Sequence, residues 1–163
     1  MNFQIEAIRS IRKSLLELIK DLSLEELNFI PQGFNNNILW NLAHIIAAQQ
    51  GICYLRAGLP ITISQEFFEQ YKPGTKPERP VSITEMDEIK KLLFSTLDGF
   101  EEDYKNQLFT QYTEWTTRYG VTIRDIDDVI KFLPFHDGLH LGYVLALKRA
   151  VNHSFKQEQV AHK

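Results

Sequence analysis

The chain has 163 residues, of which 44% are hydrophobic and 24% charged, proportions typical of one globular domain. Its formal net charge is −3 and its lysines and arginines are scattered, which argues against nucleic acid as a partner. No apolar run reaches the roughly 18 residues that span a bilayer. The amino terminus lacks the apolar core of a signal peptide, and the single Cys53 cannot form an internal disulfide, so we expect a cytoplasmic protein with no membrane partner.

The first predicted helix is amphipathic and spans residues 3–22. Its apolar side recurs at helical spacing and comprises Ile8, Ile11, Leu15, Leu18, Ile19 and Leu22. The charged residues between them, including Arg12, are expected to face solvent. Ser23 and Glu26 form a capping-box pattern that predicts a short helical turn before a loop at residues 31–37.

The second predicted helix spans residues 38–57 and carries His44. An asparagine run at residues 35–37 offers its N-cap, and Gly58 favours its end. Small residues share a stripe with the histidine, namely Ala47, Ala48 and Gly51. They predict either the close approach of a neighbouring helix or space for a ligand beside the histidine. Cys53 lies on the opposite face and is interpreted as a core thiol.

A long proline-rich crossover is predicted at residues 59–81, in which only residues 64–71 favour a helical turn. A second capping box at residues 82–85 begins the third predicted helix, which ends near Tyr104. Residues 105–120 are irregular and permit at most a short extended piece.

The fourth predicted helix begins near Ile123, with Thr122 as its N-cap, and ends near Val151. Pro134 either kinks this helix or starts a new one, because proline lacks an amide proton and crowds the preceding turn. Four long helices with one crossover between the second and third predict an all-α protein, a four-helix bundle domain over residues 1–152. The polar tail at residues 153–163 is expected to fray, which places two histidines on the surface, His153 and His162.

His136 and His140 are four residues apart in the fourth helix. Residues at this spacing lie on one helix face, one turn apart, which is chelating geometry for a metal. The apolar residues around the pair indicate that both histidines face inward. If the inward faces of the second and fourth helices meet, His44 approaches the pair and forms with it an open set of three imidazoles. Such a set, with one position left for water or substrate, is expected of a catalytic zinc, although imidazoles also suit nickel, iron and copper.

Two other metal motifs fit these residues less well. The segment from His136 to His140 has the spacing of the metalloprotease motif H-E-x-x-H, but Asp137 replaces the glutamate and Gly138 weakens the helix by about 1 kcal/mol. A diiron bundle would need paired Glu-x-x-His motifs, and no histidine here has a glutamate three residues before it.

Three neighbours of the histidines have more than one interpretation. Asp137 either orients a histidine or accepts a proton, or it points to solvent or toward the following turn. Trp40 and Tyr143 lie one turn from the histidines and could wall a pocket, although core packing is the commoner fate of such residues.

Two segments together resemble the DinB superfamily, which includes the YfiT-like metalloenzymes. They are LWNLAHI, which contains Trp40 and His44, and FHDGLHLGYVLALKR, which begins at Phe135. The resemblance spans nearly the whole chain to about Arg149, and its three-histidine pattern is specific only as a set. It implies an up-down four-helix bundle, frequent homodimers, and a metal held by three ligands, His44, His136 and His140.

The resemblance also implies a chemistry. Some members of the superfamily are S-transferases that use bacillithiol, mycothiol or glutathione, and others were labelled metal-dependent hydrolases. We therefore expect a divalent metal, zinc or nickel, and transfer of a low-molecular-weight thiol to a small-molecule electrophile. The alternatives are hydrolysis with Asp137 as the base, and a non-catalytic metal-binding module linked to stress.

Overall fold

The computed structural model describes residues 2–161 as a mainly helical protein with one small hairpin, which confirms the predicted helical class. The helices are α1 (Asn2–Ile19), α2 (Leu24–Asn28), α3 (Ile38–Cys53), α4 (Gln65–Tyr71), α5 (Ile83–Lys105) and α6 (Ile126–Ala161), with a 3-10 turn at Leu55–Ala57. Strands β1 (Trp115–Thr116) and β2 (Thr122–Ile123) pair antiparallel. Within residues 2–161, no helix is both long and apolar enough to cross a membrane.

Helix α3 lies at the centre of the helical packing. It contacts α5 and α6, and α1 contacts the same two helices. The short helices α2 and α4 also pack against α3, and for this reason every residue from Ile38 to Gln50 is buried. A helix that is buried all round can hold a polar side chain only where that side chain has a partner. His44 lies in this helix, so its environment is set by all the helices around it.

Local capping signals fix where three of the helices begin, as the sequence predicted. The Asn37 side chain accepts a hydrogen bond of 2.8 Å from the Trp40 amide at the start of α3. Both capping boxes are present, at Ser23 for α2 and at Ser82 for α5. A cap of this kind stabilises a helix by about 1 kcal/mol. Because the cap at Asn37 fixes where α3 begins, it also fixes the position of His44 along the helix axis.

The beginning of α6 differs from the prediction. Thr122 does not cap a helix, because Thr122 and Ile123 form strand β2. The helix begins at Ile126, and the Asp128 amide donates a hydrogen bond of 2.8 Å to the Asp125 side chain. Residues 105–120 do contain the short extended piece that the sequence permitted, at β1.

The end of α6 also differs from the prediction. The helix runs through Pro134 without a break and continues to Ala161, beyond the predicted end near Val151, whereas fraying of this segment stays a prediction. The half-buried Phe155 contacts Phe29 edge to face, with ring centroids 5.3 Å apart, which anchors this extension to the rest of the protein. His153 is exposed as predicted, whereas His162 lies outside the described residues.

Candidate metal site

Three histidine side chains converge between α3 and α6. One ring nitrogen from each of His44, His136 and His140 lies within 4.8 Å of the others. The ring centroids of His136 and His140 are 4.8 Å apart, as expected for neighbours one helical turn apart, and that of His44 is 4.9 Å from His140. One ion could contact all three nitrogens after small rotations of the rings. The structure thus brings together the residues that the sequence singled out, and metal binding by them stays a prediction.

Two of the histidines have their Nδ1 atom held by an oxygen. His44 Nδ1 lies 2.8 Å from the Tyr71 carbonyl oxygen, and His140 Nδ1 lies 2.9 Å from Asn41 Oδ1. A carbonyl oxygen can only accept, so Nδ1 carries the proton in both rings. The Asn41 amide is itself oriented, because its Nδ2 donates to the Asn36 and Asn37 oxygens. Both rings therefore have Nε2 as their unprotonated nitrogen, the one able to bind a metal.

His136 is the incomplete member of the set. Its buried Nδ1 has no hydrogen-bond partner, and neither has the buried Oδ1 of Asp137. These two atoms are 3.6 Å apart, just beyond hydrogen-bond distance. A small shift would let His136 donate to Asp137, which would give all three histidines an oxygen at Nδ1. Carboxylate and carbonyl acceptors of this kind are the usual outer partners of metal-binding histidines, so the donor set fits a divalent metal.

The burial of the site favours the neutral form of the imidazoles. Burial lowers the pKa of His44 to about 4, against the opposing effect of its hydrogen bond to Tyr71. Burial, together with the neighbouring His136 and His44, lowers the pKa of His140 to about 3. At pH 7 both rings are therefore uncharged, which is the protonation state that a metal ligand requires.

A buried ion pair lies directly behind the site. Arg12 and Asp137 are both fully buried, and Arg12 Nε is 2.9 Å from Asp137 Oδ2. The remaining guanidinium nitrogens donate to the Leu93 carbonyl at 2.6 Å and to Gln49 Oε1 at 2.8 Å. Gln49 donates in turn to the Thr96 carbonyl at 3.1 Å. This network joins all four long helices, α1, α3, α5 and α6, at the level of the histidines.

The network corrects the expectation for Arg12 and rules out one of the alternatives left open for Asp137. Arg12 does not face solvent, and Asp137 does not point to solvent. Burial by itself raises the pKa of Asp137, but the charge of Arg12 opposes it and the pKa is held below its ordinary value. The aspartate is therefore an ionised group in the protein interior, and Arg12 is its counter-charge.

A signal for the burial of Arg12 is present in the sequence. The buried positions of α1 follow alternating steps of three and four residues and comprise Ile5, Ile8, Arg12, Leu15 and Ile19. Arg12 is the one charged residue on this stripe. A charged residue at an apolar-stripe position predicts a buried partner of opposite sign, although it does not identify that partner.

A cavity of about 450 Å³ opens beside the three histidines. Aromatic rings form much of its lining, namely Trp40, Trp115, Tyr119, Phe132 and Tyr143. Trp40 stacks on His44 with ring centroids 4.6 Å apart and an interplanar angle of 13°. Its Nε1 donates to Thr75 Oγ1 at 3.2 Å. Trp40 and Tyr143 thus wall the pocket, the outcome that the sequence left as the less common one.

The small-residue stripe of α3 serves both of the purposes that the sequence left open. Ala48 lines the cavity and leaves space beside His44. Gly51 faces α4, where a Cβ atom would lie 3.4 Å from the Phe68 ring. Ala47 is part of the core. Cys53 is also a core residue, as predicted, and it does not line the cavity; burial raises the pKa of its thiol.

The hairpin of β1 and β2 supplies residues that sequence reasoning missed. Its turn lies over the cavity and contributes Thr117, Arg118 and Tyr119 to the lining. The Tyr119 ring meets Phe135 of α6 edge to face, with centroids 5.2 Å apart. The sequence offered only an irregular alternation here, because strands of two residues carry too little pattern to be recognised.

Sequence comparison agrees with this architecture. A search of curated proteins found no match. A family model of the DinB superfamily matches residues 7–144, a range that includes α3, the crossover and all three histidines. The match covers most of the chain, the whole of the first segment that carries the resemblance, and the second segment as far as Val144. The chain therefore belongs to the DinB superfamily.

Proposed function

We propose that the protein is a metal-dependent enzyme that transfers a low-molecular-weight thiol to a small electrophile. The metal would be a divalent ion, with zinc or nickel the best fit, held by the Nε2 atoms of His44, His136 and His140. The observation that carries the proposal is the open set of three imidazoles facing a cavity. Three protein ligands with one free position characterise catalytic zinc sites, whereas structural sites close their shell with four.

The bound ion would supply Lewis acidity and lower the pKa of a thiol or water molecule in the free position. The chain's own residues hold the ligands. Tyr71 and Asn41 fix two of the rings through their oxygens. Asp137, which Arg12 holds in place, would position the third ring, His136, once a small shift lets His136 Nδ1 donate to Asp137 Oδ1.

The position of Asp137 favours thiol transfer over hydrolysis. A general base must come within hydrogen-bond distance of the proton that it removes, directly or through one water molecule. Asp137 is fully buried, its Oδ2 is paired with Arg12, and it does not line the cavity. A thiol activated by a metal needs no such base. We therefore propose that Asp137 is a positioning residue for His136.

Four further features belong to the proposal. The mutual contacts of α1, α3, α5 and α6 support an up-down four-helix bundle with a crossover between α3 and α5. Residues 1–152 would form the functional domain. The resemblance to the superfamily supports a homodimer. The expected location is the cytoplasm.

The proposal is tested with monochlorobimane and a panel of thiols, namely cysteine, glutathione, bacillithiol and mycothiol. The thiolate sulfur attacks the chloromethyl carbon, the carbon–chlorine bond breaks, chloride leaves, and the thiol proton passes to solvent. We expect conjugation only when thiol and metal are both present. Metal removal should lower the rate at least about 100-fold, because changes to outer metal partners alone cost 10- to 100-fold.

Matched variants distinguish this proposal from its competitors. His140→Ala should lose the activity, whereas His153→Ala, which removes an exposed histidine of the same helix, should retain it. Metal-dependent turnover of esters or amides without thiol would support a hydrolase instead. Absence of both activities across the thiol panel would leave a non-catalytic metal-binding module.

A further inference from the structure

The cavity beside the histidines carries a single arginine and no carboxylate. Arg118 contributes to its lining, and none of the lining residues is Asp or Glu. Within residues 2–161, Arg118 is exposed and makes neither a salt bridge nor a side-chain hydrogen bond. Arginine carries a permanent positive charge and five donors in a planar fork. The cavity thus has a cationic group whose donors make no hydrogen bond to the residues that the structure describes.

The backbone of the hairpin turn holds Arg118 in a defined place. The Thr117 amide donates to the Val121 carbonyl at 2.8 Å, and the buried Thr117 hydroxyl accepts from the Tyr119 and Val121 amides. Gly120 has a φ of +77°, a conformation that favours glycine. These contacts close the turn around Arg118.

Aromatic contacts attach the hairpin to the helix that carries two of the histidines. Trp115 faces Phe132 of α6 edge to face at 6.4 Å between centroids. The Arg56 guanidinium lies over the Trp115 ring, 4.6 Å from its centre. Arg56 is therefore engaged by an aromatic face, whereas Arg118 is left for a ligand.

We infer that Arg118 binds the carboxylate of the substrate, so that the cavity accepts small molecules with a carboxylate at one end and a metal-directed group at the other. The inference rests on the proposed function for the metal-directed end. A carboxylate accepts two parallel hydrogen bonds from a guanidinium and carries the opposite charge. An amide has one acceptor oxygen and no charge, so it cannot form this pair. A cavity that is cationic and free of acidic side chains also concentrates anions over neutral molecules.

The two tryptophans of the chain allow a direct test. Trp40 and Trp115 both line the cavity, so their fluorescence and the NMR resonances of their indole N–H groups report binding there. The probes are 3-mercaptopropionate and its uncharged amide, each titrated into the metal-free and the zinc-loaded protein. We expect the carboxylate to bind about tenfold more tightly than the amide in each state, because a hydrogen bond between two charged groups is stronger than one to a neutral amide and solvent exposure reduces the difference.

The variants separate Arg118 from general charge effects. Arg118→Gln should remove most of the preference for the carboxylate, because it weakens binding of 3-mercaptopropionate and leaves binding of the amide unchanged. Arg118→Lys should retain part of the preference. Arg124→Gln is the control, because it makes the same change of net charge close to the same hairpin. Arg124 pairs with Glu114 at 3.7 Å and does not line the cavity. The Arg124→Gln protein should therefore prefer the carboxylate over the amide as strongly as the unchanged protein does.

The outcomes for Arg118 and for the metal are distinguishable. A preference that is unchanged in Arg118→Gln, or lost equally in Arg124→Gln, overturns the inference and leaves zinc binding intact. If 3-mercaptopropionate binds to neither the metal-free nor the zinc-loaded protein, the inference is also overturned. If the preference depends on Arg118 in the metal-free protein but zinc does not bind, the proposed function fails and the inference stands.

Discussion

Replacing Arg12 by methionine is expected to lower the free energy of unfolding by about 3–5 kcal/mol, the usual effect of removing one partner of a buried ion pair. Methionine fills much of the space of the arginine stem, so the cost arises mainly from the uncompensated charge. The change leaves the fully buried Asp137 without its counter-charge, so that its carboxyl group either stays charged in the interior or takes up a proton there. It also removes the donors to Leu93 and Gln49. Urea denaturation of the metal-free protein measures this cost.

Arg9 provides the matched control on the same helix. It pairs with Asp98 at 2.6 Å and Glu101 at 3.4 Å, but these groups are partly exposed. Arg9→Met should therefore cost less than about 1 kcal/mol. Adding Asp137→Asn to Arg12→Met removes the orphaned charge and should restore part of the stability. Equal costs for the Arg9 and Arg12 variants would show that the buried pair does not organise the helices.

His140→Ala is expected to abolish stabilisation of the protein by zinc. A ligand that binds only the folded state stabilises it by about 2.7 kcal/mol at one hundred times its dissociation constant. His140 is one of only two histidines on α6 that meet His44, so its loss leaves two imidazoles, too few to hold zinc tightly. Thermal unfolding with and without zinc measures the effect as a shift of the melting temperature.

The exposed His153 is again the control for a surface histidine of the same helix. Its only hydrogen bond within the described residues is to Gln157, at 2.9 Å. His153→Ala should retain the full zinc-dependent shift. A shift of unchanged size in His140→Ala would mean that zinc binds elsewhere on the chain.

The positions of the long helices and the candidate ligands could be predicted from local pattern. The spacing of His136 and His140 is a property of one helix, and Asn37 and Ser82 mark helix starts through bonds to residues three positions away. Such signals act within a few residues and are therefore visible in the sequence. The convergence of His44 with the pair depended on the assumption that two inward faces meet, and the structure shows that they do.

The partners of the histidines could not be predicted in the same way. Tyr71 accepts a hydrogen bond from His44 through its backbone carbonyl. Every residue has a backbone carbonyl, so the identity of residue 71 gives no indication of this contact. Asn41 lies on α3 and binds a ring of α6, a contact between residues 99 positions apart. Both depend on how the crossover and α6 pack against α3. The hydrogen-bond partners of His44 and His140 are thus a property of the tertiary structure.

Two local errors have identifiable physical causes. Thr122 carries a side chain suitable for a helix cap, but its pairing with Thr116 in the hairpin takes precedence over that local preference. The extension of α6 beyond Val151 depends on Phe155, whose contact with Phe29 adds tertiary packing to an otherwise polar segment. In both cases a contact with a distant part of the chain outweighs the local signal.

X-ray absorption spectroscopy of the zinc-loaded protein tests the three-histidine site most directly. We predict one zinc per chain with three imidazole nitrogens at about 2.0–2.1 Å and one exchangeable light atom, and no sulfur. Addition of 2-mercaptoethanol should replace the light atom by one sulfur at about 2.3 Å. Fewer than three imidazoles, a sulfur ligand before the thiol is added, or a shell that the thiol leaves unchanged would contradict an open three-histidine site.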